Sequence, residues 1–430
     1  MIESAARCAA GIAEAYDALA EVALALGSHE RANALYRRAA EIGPKVARHW
    51  FKLAASERSF GRLEQAETAC DRAITLDPRE HRSYLLRSEL RVQTATANHV
   101  EQLRRELARS DLEDQARVLL GYALGKELDD LGQYEEAFRW FALAASTRRR
   151  QLAYDAAVDE HKLRRIIEEF PRGPGRAAGG RLDSSRFVFI FGLPRSGTTL
   201  LERILTGLPG VRSNGETDHF ARTLLTASPP HQGATDRGVQ DVFARAAAVD
   251  WDAVAAGYAR LADAGDRQLI IEKQPMNYLY AGAIHRALPQ ARLVLVSRSP
   301  LDSCFAMYRT LFGDAYQFTY DFRELACYYA AYSRLMDHWR DACGESIHEV
   351  LYEELVSDPI RTGAALARAC GLEWHDFAVE VERNADVCLT QSAAQVRRPV
   401  YRSSTGHWRH YRTQLEPLIA ALRDHGVIVP

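Results

Sequence analysis

The amino-acid sequence predicts two domains of different class. The N-terminal part reads as an all-α solenoid of helical repeats, the C-terminal part as an α/β domain with a parallel sheet flanked by helices. Three observations carry this. A residue pattern in the first 150 positions returns after 34 residues; an apolar run at 187–191 leads into a Gly/Pro/Ser loop and a helical pattern; further apolar runs at 269–273 and 291–297 alternate with helical patterns. At 430 residues the chain is long for one core, so two domains are the default. The formal net charge of −2 argues against general affinity for nucleic acid or membrane, so any basic site must be local.

Gly27, Ala32, Tyr36, Ala39 and Pro44 recur 34 positions later as Gly61, Ala66, Cys70, Ala73 and Pro78, and Tyr16 and Leu19 recur as Trp50 and Leu53. The small residues let two antiparallel helices approach, the glycine makes the turn, and the proline ends the second helix. A further copy stands at Leu124, Gly132, Ala137, Phe141 and Ala144. Its glycine is 71 positions from Gly61 rather than 68, so the unit around 81–117 is degenerate and three residues longer. The period and pattern resemble tetratricopeptide repeats over roughly residues 10–150. The resemblance implies a concave groove for an extended peptide or a partner helix, with a spacer or homodimerisation arm as the alternative. So few regular repeats are expected to lean on the downstream chain. A helix ending near Phe170 and a Pro/Gly-rich connector at 171–180 mark the boundary: repeats at 1–170, linker at 171–185, α/β domain at 186–430.

The organising stretch is Phe187-Val188-Phe189-Ile190-Phe191, then Gly192-Leu193-Pro194-Arg195-Ser196-Gly197-Thr198-Thr199, then apolar residues at 200, 201, 204, 205 and 208. It reads as a strand buried on both faces, a loop and a helix, with Thr198 or Thr199 in the first turn. Backbone N–H groups and the positive helix end form an anion cradle of P-loop type. The spacing Gly192-x4-Gly197 matches a Walker A loop, but Thr198 fills the lysine slot, which disfavours a kinase or ATPase. The charge sits instead at Arg195, whose planar fork can bridge two oxyanions.

Downstream, a short strand ending at Ser213 is followed by Gly215-Glu216 and His219, where the ends of parallel strands line a crevice. An alanine-rich helical run covers 239–261. Leu269-Ile270-Ile271-Glu272-Lys273 is a second buried strand with a lysine at its end, placed to neutralise charge on a leaving oxygen. Glu272 as a Mg²⁺ ligand ranks well below that. The strand at 291–297 ends in Arg298, an aromatic-rich helix covers 318–341, and a last strand precedes Tyr352-Glu353-Glu354-Leu355. Ser392-Ala393-Ala394-Gln395-Val396 and Gly406-His407-Trp408 follow, with Arg397, Arg398, Arg402 and Arg409 as a basic patch.

Together the Pro-Arg-Ser-Gly-Thr-Thr loop, Lys273-Gln274-Pro275, Arg298, Tyr352 and the Ser-x-x-Gln-Val segment resemble sulfotransferases, tyrosyl-protein sulfotransferases above all, over about 185–425. The two halves resemble bacterial tetratricopeptide-repeat sulfotransferases. The resemblance implies 3′-phosphoadenosine-5′-phosphosulfate (PAPS) as donor, its 3′,5′-bisphosphate as product, and no metal. It implies Glu216 as general base, with His219 in reserve, and Lys273 and Ser392 at the transferring group. Arg195, Ser196, Gly197, Thr198 and Thr199 would hold the 5′ side, Arg298 the 3′-phosphate, and Tyr352 the adenine; Arg402 joins them from the basic patch. The family's serine eight residues after the arginine is here Ala306, with Ser299 or Ser303 to compensate. A peptide or protein tyrosine is the expected acceptor, with a saccharide, a small phenol, or a scaffold that binds nucleotide without turnover as alternatives. Seven scattered cysteines with no Cys-x-x-Cys pair suggest reduced thiols. With no basic leader at Met1–Arg7 and no stretch near the ~20 apolar residues of a membrane span, a cytoplasmic location is expected.

Overall fold

The computed structural model describes residues 11–171, 177–179, 182–228, 249–262 and 269–430; positions 239–248 of the alanine-rich run and part of the linker lie outside them. The chain divides into two compact units, the first comprising 1–152, 308–320 and 385–397, the second 153–307, 321–384 and 398–430.

The first unit is built from helix pairs: Ala13–Ala25 with His29–Ile42, Ala47–Ser59 with Leu63–Leu76, and Asp114–Asp130 with Tyr134–Arg150. Gly27, Gly61 and Gly132 stand between the helices of each pair at φ 71°, 75° and 72°. That left-handed backbone explains the recurring glycine. Ala20, Ala32, Ala54, Ala66 and Ala137 are fully buried, as close helix approach demands. The degenerate unit holds two short helices, His81–Glu89 and Val100–Leu107. Polar groups are tied between repeats: buried Glu57 accepts from Asn33 at 3.1 Å and from Arg37 at 2.8 Å, and pairs with Arg62. Two returning segments complete the unit. The Tyr122 hydroxyl donates to the Tyr308 carbonyl at 3.2 Å, Arg309 pairs with Asp129, and Arg148 donates to the Gly313 carbonyl at 2.9 Å. In the other segment the Cys388 N–H donates to the Ser59 carbonyl at 2.9 Å, and Cys388, Ala393 and Val396 form a small apolar cluster. The repeats thus draw on later parts of the chain.

The second unit carries a fully parallel five-stranded sheet in the order β2-β3-β1-β4-β5, with β1 Phe187–Phe191, β2 Val211–Ser213, β3 Leu269–Lys273, β4 Arg292–Ser297 and β5 Ile347–Leu351. All five residues of β1 are fully buried. Val188 and Ile190 pack with Leu201, Ile204 and Leu205 of helix Thr198–Thr206. On the other face Phe187 and Phe189 meet Tyr258 at ring separations of 5.1 and 5.2 Å, and Phe220 closes the cluster. Each such side chain contributes roughly 1.5–3 kcal/mol. Burial on both faces is why the run is apolar without alternation. Helix Ala156–Glu169 packs in this unit against the 22-residue helix Phe322–Cys343, whose Trp339 Nε1–H donates to the Tyr278 carbonyl at 2.7 Å.

Candidate active site

The site grows from the loop between β1 and helix Thr198–Thr206. Gly192 and Gly197 have φ of 156° and 108°, and Arg195 takes φ 68°, left-handed backbone for a residue with a side chain. A Cβ at Gly192 would stand 2.5 Å from the Val296 carbonyl, and one at Gly197 2.4 Å from the Tyr352 ring. The turn therefore tolerates nothing larger, and it leads directly into a helix N-terminus with Gly197 as its cap and no capping side chain. Ser196 is 1% exposed and its hydroxyl lacks a hydrogen-bond partner. Thr198 and Thr199 are buried beside it. A glycine-walled turn, an orphaned buried hydroxyl and a helix N-terminus suit an oxyanion.

Parallel pairing sets the next residues. Ile190 of β1 is level with Lys273 of β3, so the lysine arrives at the strand ends two residues before Gly192. Its side chain is fully buried; Nζ pairs with the Glu216 carboxylate and lies 3.7 Å from Glu202 Oε2. The ladder continues past β2, with the Asn214 N–H donating to Ile271 at 2.8 Å and the Lys273 N–H to Gly215 at 3.1 Å, which carries Glu216 alongside β3. Glu202, four residues into the helix, accepts from the Ser213 hydroxyl at 2.5 Å. Burial pushes its carboxyl above the ordinary value, against the pull of Lys273 and Ser213. His219 opens helix His219–Ala227, its imidazole pushed down by burial.

At the end of β4 the Arg298 guanidinium donates to the carbonyls of Arg195 at 2.9 Å and Ser404 at 2.5 Å, and lies 4.7 Å from the Tyr352 ring centroid. The Tyr352 hydroxyl bonds the Ser404 hydroxyl at 2.5 Å, and the Gly406 N–H donates to buried Asp302 at 2.7 Å. The segment before Trp408 is thus fastened to the phosphate-type loop through Arg298. Leu193, Ser196, Ser297, Arg298, Ser303 and Tyr332 line part of a cavity of about 120 Å³.

The structure gathers Arg195, Ser196, Gly197, Thr198, Thr199, Glu216, Lys273, Arg298 and Tyr352 at the strand ends of the second unit. Arg402 takes another position: its guanidinium donates to the carbonyls of Val356, at 3.2 Å, and Ser357, capping helix Tyr352–Ser357. Ser392 belongs to the first unit, its N–H donating to the Thr390 hydroxyl at 3.1 Å. Ala306 is buried; the Ser303 hydroxyl turns back to the Arg298 carbonyl at 3.3 Å, and the Ser299 N–H donates to Glu353 at 2.9 Å. Sequence reasoning missed Glu202, Asp302 and Ser404. The helical spacing of Glu202 from Thr198 was a usable signal for the first; the other two act through contacts 52 to 106 residues apart. Among the described residues no group of three or more His, Cys, Asp or Glu could hold a metal ion, and no helix is long and apolar enough to cross a membrane.

Residues 188–376 match the family model described as "Sulfotransferase family", and residues 13–56 match a tetratricopeptide repeat model. An uncharacterized protein of Aquifex aeolicus is 27% identical over 374 residues, covering 85% of this chain and 49% of its own length. Protein-tyrosine sulfotransferase A of Caenorhabditis elegans is 25% identical over 244 residues, covering 54% of this chain and 63% of its own length. The chain thus spans about half to two thirds of these relatives. Among solved structures, the sulfotransferase domain of the Synechococcus PCC 7002 olefin synthase is similar at 18% identity and TM-score 0.40, covering 61% of this chain and 99% of that one. The sulfotransferase domain of the curacin biosynthetic pathway gives 17% and 0.40, covering 60% and 100%. The chain is thus similar to sulfotransferases over residues 188–376 and to tetratricopeptide repeats over residues 13–56.

Proposed function

We propose that this chain transfers a sulfuryl group from PAPS to a hydroxyl acceptor, with Glu216 as general base. The observation that carries the reading is the Lys273–Glu216 pair beside the anion cradle: a buried cation and a partly exposed carboxylate at adjacent strand ends. The donor fits the residues present. Gly192, Gly197 and the partnerless Ser196 hydroxyl make a cradle for a 5′ oxyanion, with Arg195, Thr198 and Thr199 around it. Arg298, stacked on Tyr352, offers a cation and a ring for the 3′-phosphate and adenine. When bound, PAPS supplies the sulfuryl group and its phosphate leaving group.

The chain's own residues then divide the work. Glu216 takes the acceptor proton, which removes the charge that holds Lys273. Lys273, still facing Glu202, is then free to balance negative charge building in the cradle, as Arg195 and the loop amides do. Arg402 acts indirectly by fastening its segment to helix Tyr352–Ser357. No metal takes part.

A peptide or protein tyrosine is the proposed acceptor, supported by Gly215-Glu216, the Ser-x-x-Gln-Val segment, the repeats, and the likeness to a protein named as a tyrosine sulfotransferase. Incubation with labelled PAPS and a tyrosine-peptide library, sugars and simple phenols tests it. Label on peptides is expected; label on sugars or phenols with peptides untouched overturns this acceptor. Ala306 favours a second reading, a nucleotide-binding repeat scaffold without turnover, and transfer to no acceptor would support it.

A further inference from the structure

Successive side chains of a strand point to opposite faces, so Glu272 looks away from its neighbour Lys273. It is fully buried on the side of β3 that faces Tyr258 of helix Trp251–Leu261. The Asn277 amide donates to its Oε1 at 3.0 Å, and the hydroxyls of Thr217 and Tyr258 face the carboxyl. Its Oε2 and both hydroxyls are buried and have no hydrogen-bond partner. Thr217 directly follows the base of the reaction proposed above, and Asn277 lies four residues after Lys273. One buried carboxyl therefore touches both segments that carry the ion pair.

We propose that Glu272 is a positioning residue, which pins Thr217 and Asn277 from behind β3 and so fixes the loop presenting Glu216 to Lys273. The consequence for turnover rests on the sulfotransfer reading; the consequence for the loop does not. Asn277 fixes one oxygen of the carboxyl, which leaves the other for Thr217 and Tyr258. Removing the carboxyl strands several buried hydrogen-bonding groups at once, whereas an amide of the same shape can serve them all. The loop amides supply a local readout, since Asn214 donates to Ile271 at 2.8 Å and Gly215 to the Ser213 hydroxyl at 2.9 Å.

The test compares Glu272→Gln, Glu272→Leu and Thr217→Val in the full chain, by hydrogen exchange of the 211–220 peptide and by sulfuryl-transfer kinetics. Glu272→Gln is expected to keep wild-type loop exchange and kcat within about threefold, while the other two speed loop exchange roughly tenfold or more. The same two should lower kcat about tenfold while affinity for 3′-phosphoadenosine-5′-phosphate stays within about twofold. Should Glu272→Leu fail to fold, Thr217→Val decides alone. Unchanged loop exchange in Thr217→Val, or loosening by Glu272→Gln as large as by Glu272→Leu, overturns the proposal. A wild type that transfers no sulfuryl group, with the exchange pattern as expected, contradicts the function instead.

Discussion

The Arg298 guanidinium donates to the main-chain carbonyl of Arg195 at 2.9 Å. Arg195 holds φ 68°, a conformation that costs a non-glycine residue of order 1 kcal/mol or more, and Arg298 stabilises the carbonyl direction this produces. One arginine thus braces the cradle and stands beside Tyr352, where the proposed donor's 3′ end would lie. Arg298→Ala is expected to weaken binding of 3′-phosphoadenosine-5′-phosphate by roughly 30-fold or more, a loss of about 2 kcal/mol or more for a charge-assisted contact. Arg298→Lys should recover only part, because a lysine cannot span both carbonyls. Calorimetric titration of the three proteins checks this.

Gly197→Ala should also abolish tight nucleotide binding. Its Cβ would enter the Tyr352 ring at 2.4 Å on top of the φ of 108°. The expected loss in affinity is at least about tenfold, with strain of order 1–3 kcal/mol. Titration with the bisphosphate beside a urea melt separates lost binding from lost folding.

Lys273→Met should remove turnover and also destabilise the second unit. It leaves Glu202, already pushed up by burial, without its cation. Breaking a buried pair on one side costs about 3–5 kcal/mol. The double variant Lys273→Met/Glu202→Gln is expected to regain much of the stability and none of the turnover, as read by urea midpoints and kcat.

Glu272 gives the fold a pH dependence. Burial first, helped by Asp218, pushes its carboxyl from 4.5 up to about 7, against the hydrogen bonding of Asn277, Thr217 and Tyr258. The folded chain therefore holds this proton more tightly than the unfolded chain. Stability from this group is full below pH 4.5 and is lost as the pH rises through about 7. Glu272→Gln removes the dependence. Its unfolding free energy relative to wild type should rise by about 2–3 kcal/mol between pH 5 and pH 8, measured by urea titration at both.

In the repeat unit, Arg309→Ala removes the Arg309 guanidinium from Asp129, whose side chain is 6% exposed. An expected loss of about 3 kcal/mol should appear as an earlier melting transition. An unchanged melt would mean that the 308–320 segment is not needed by the repeats.

Local pattern made much of this legible. β1 and β3 stand where apolar runs and their flanking Gly, Pro and Lys put them, and the repeat glycines stand at the turns because no other residue suits φ near 70°. The cradle was readable for the same reason: its residues are consecutive. Ser404 and Asp302 were not, because each acts through a contact between distant segments with no periodic signature. For Arg402 the basic patch says only that charge is present. Its partners are the carbonyls of a helix C-terminus, which the sequence does not display. The attachment of 308–320 and 385–397 to the repeats was hidden likewise: both lie inside what reads as one continuous α/β domain.

The most direct test of the central claim is calorimetric titration of the whole chain with 3′-phosphoadenosine-5′-phosphate, AMP and ATP, without metal. The account predicts tight binding of the 3′,5′-bisphosphate, with AMP and ATP weaker by two orders of magnitude or more, about 3 kcal/mol. Equal binding of ATP, or no binding of the bisphosphate, would contradict it.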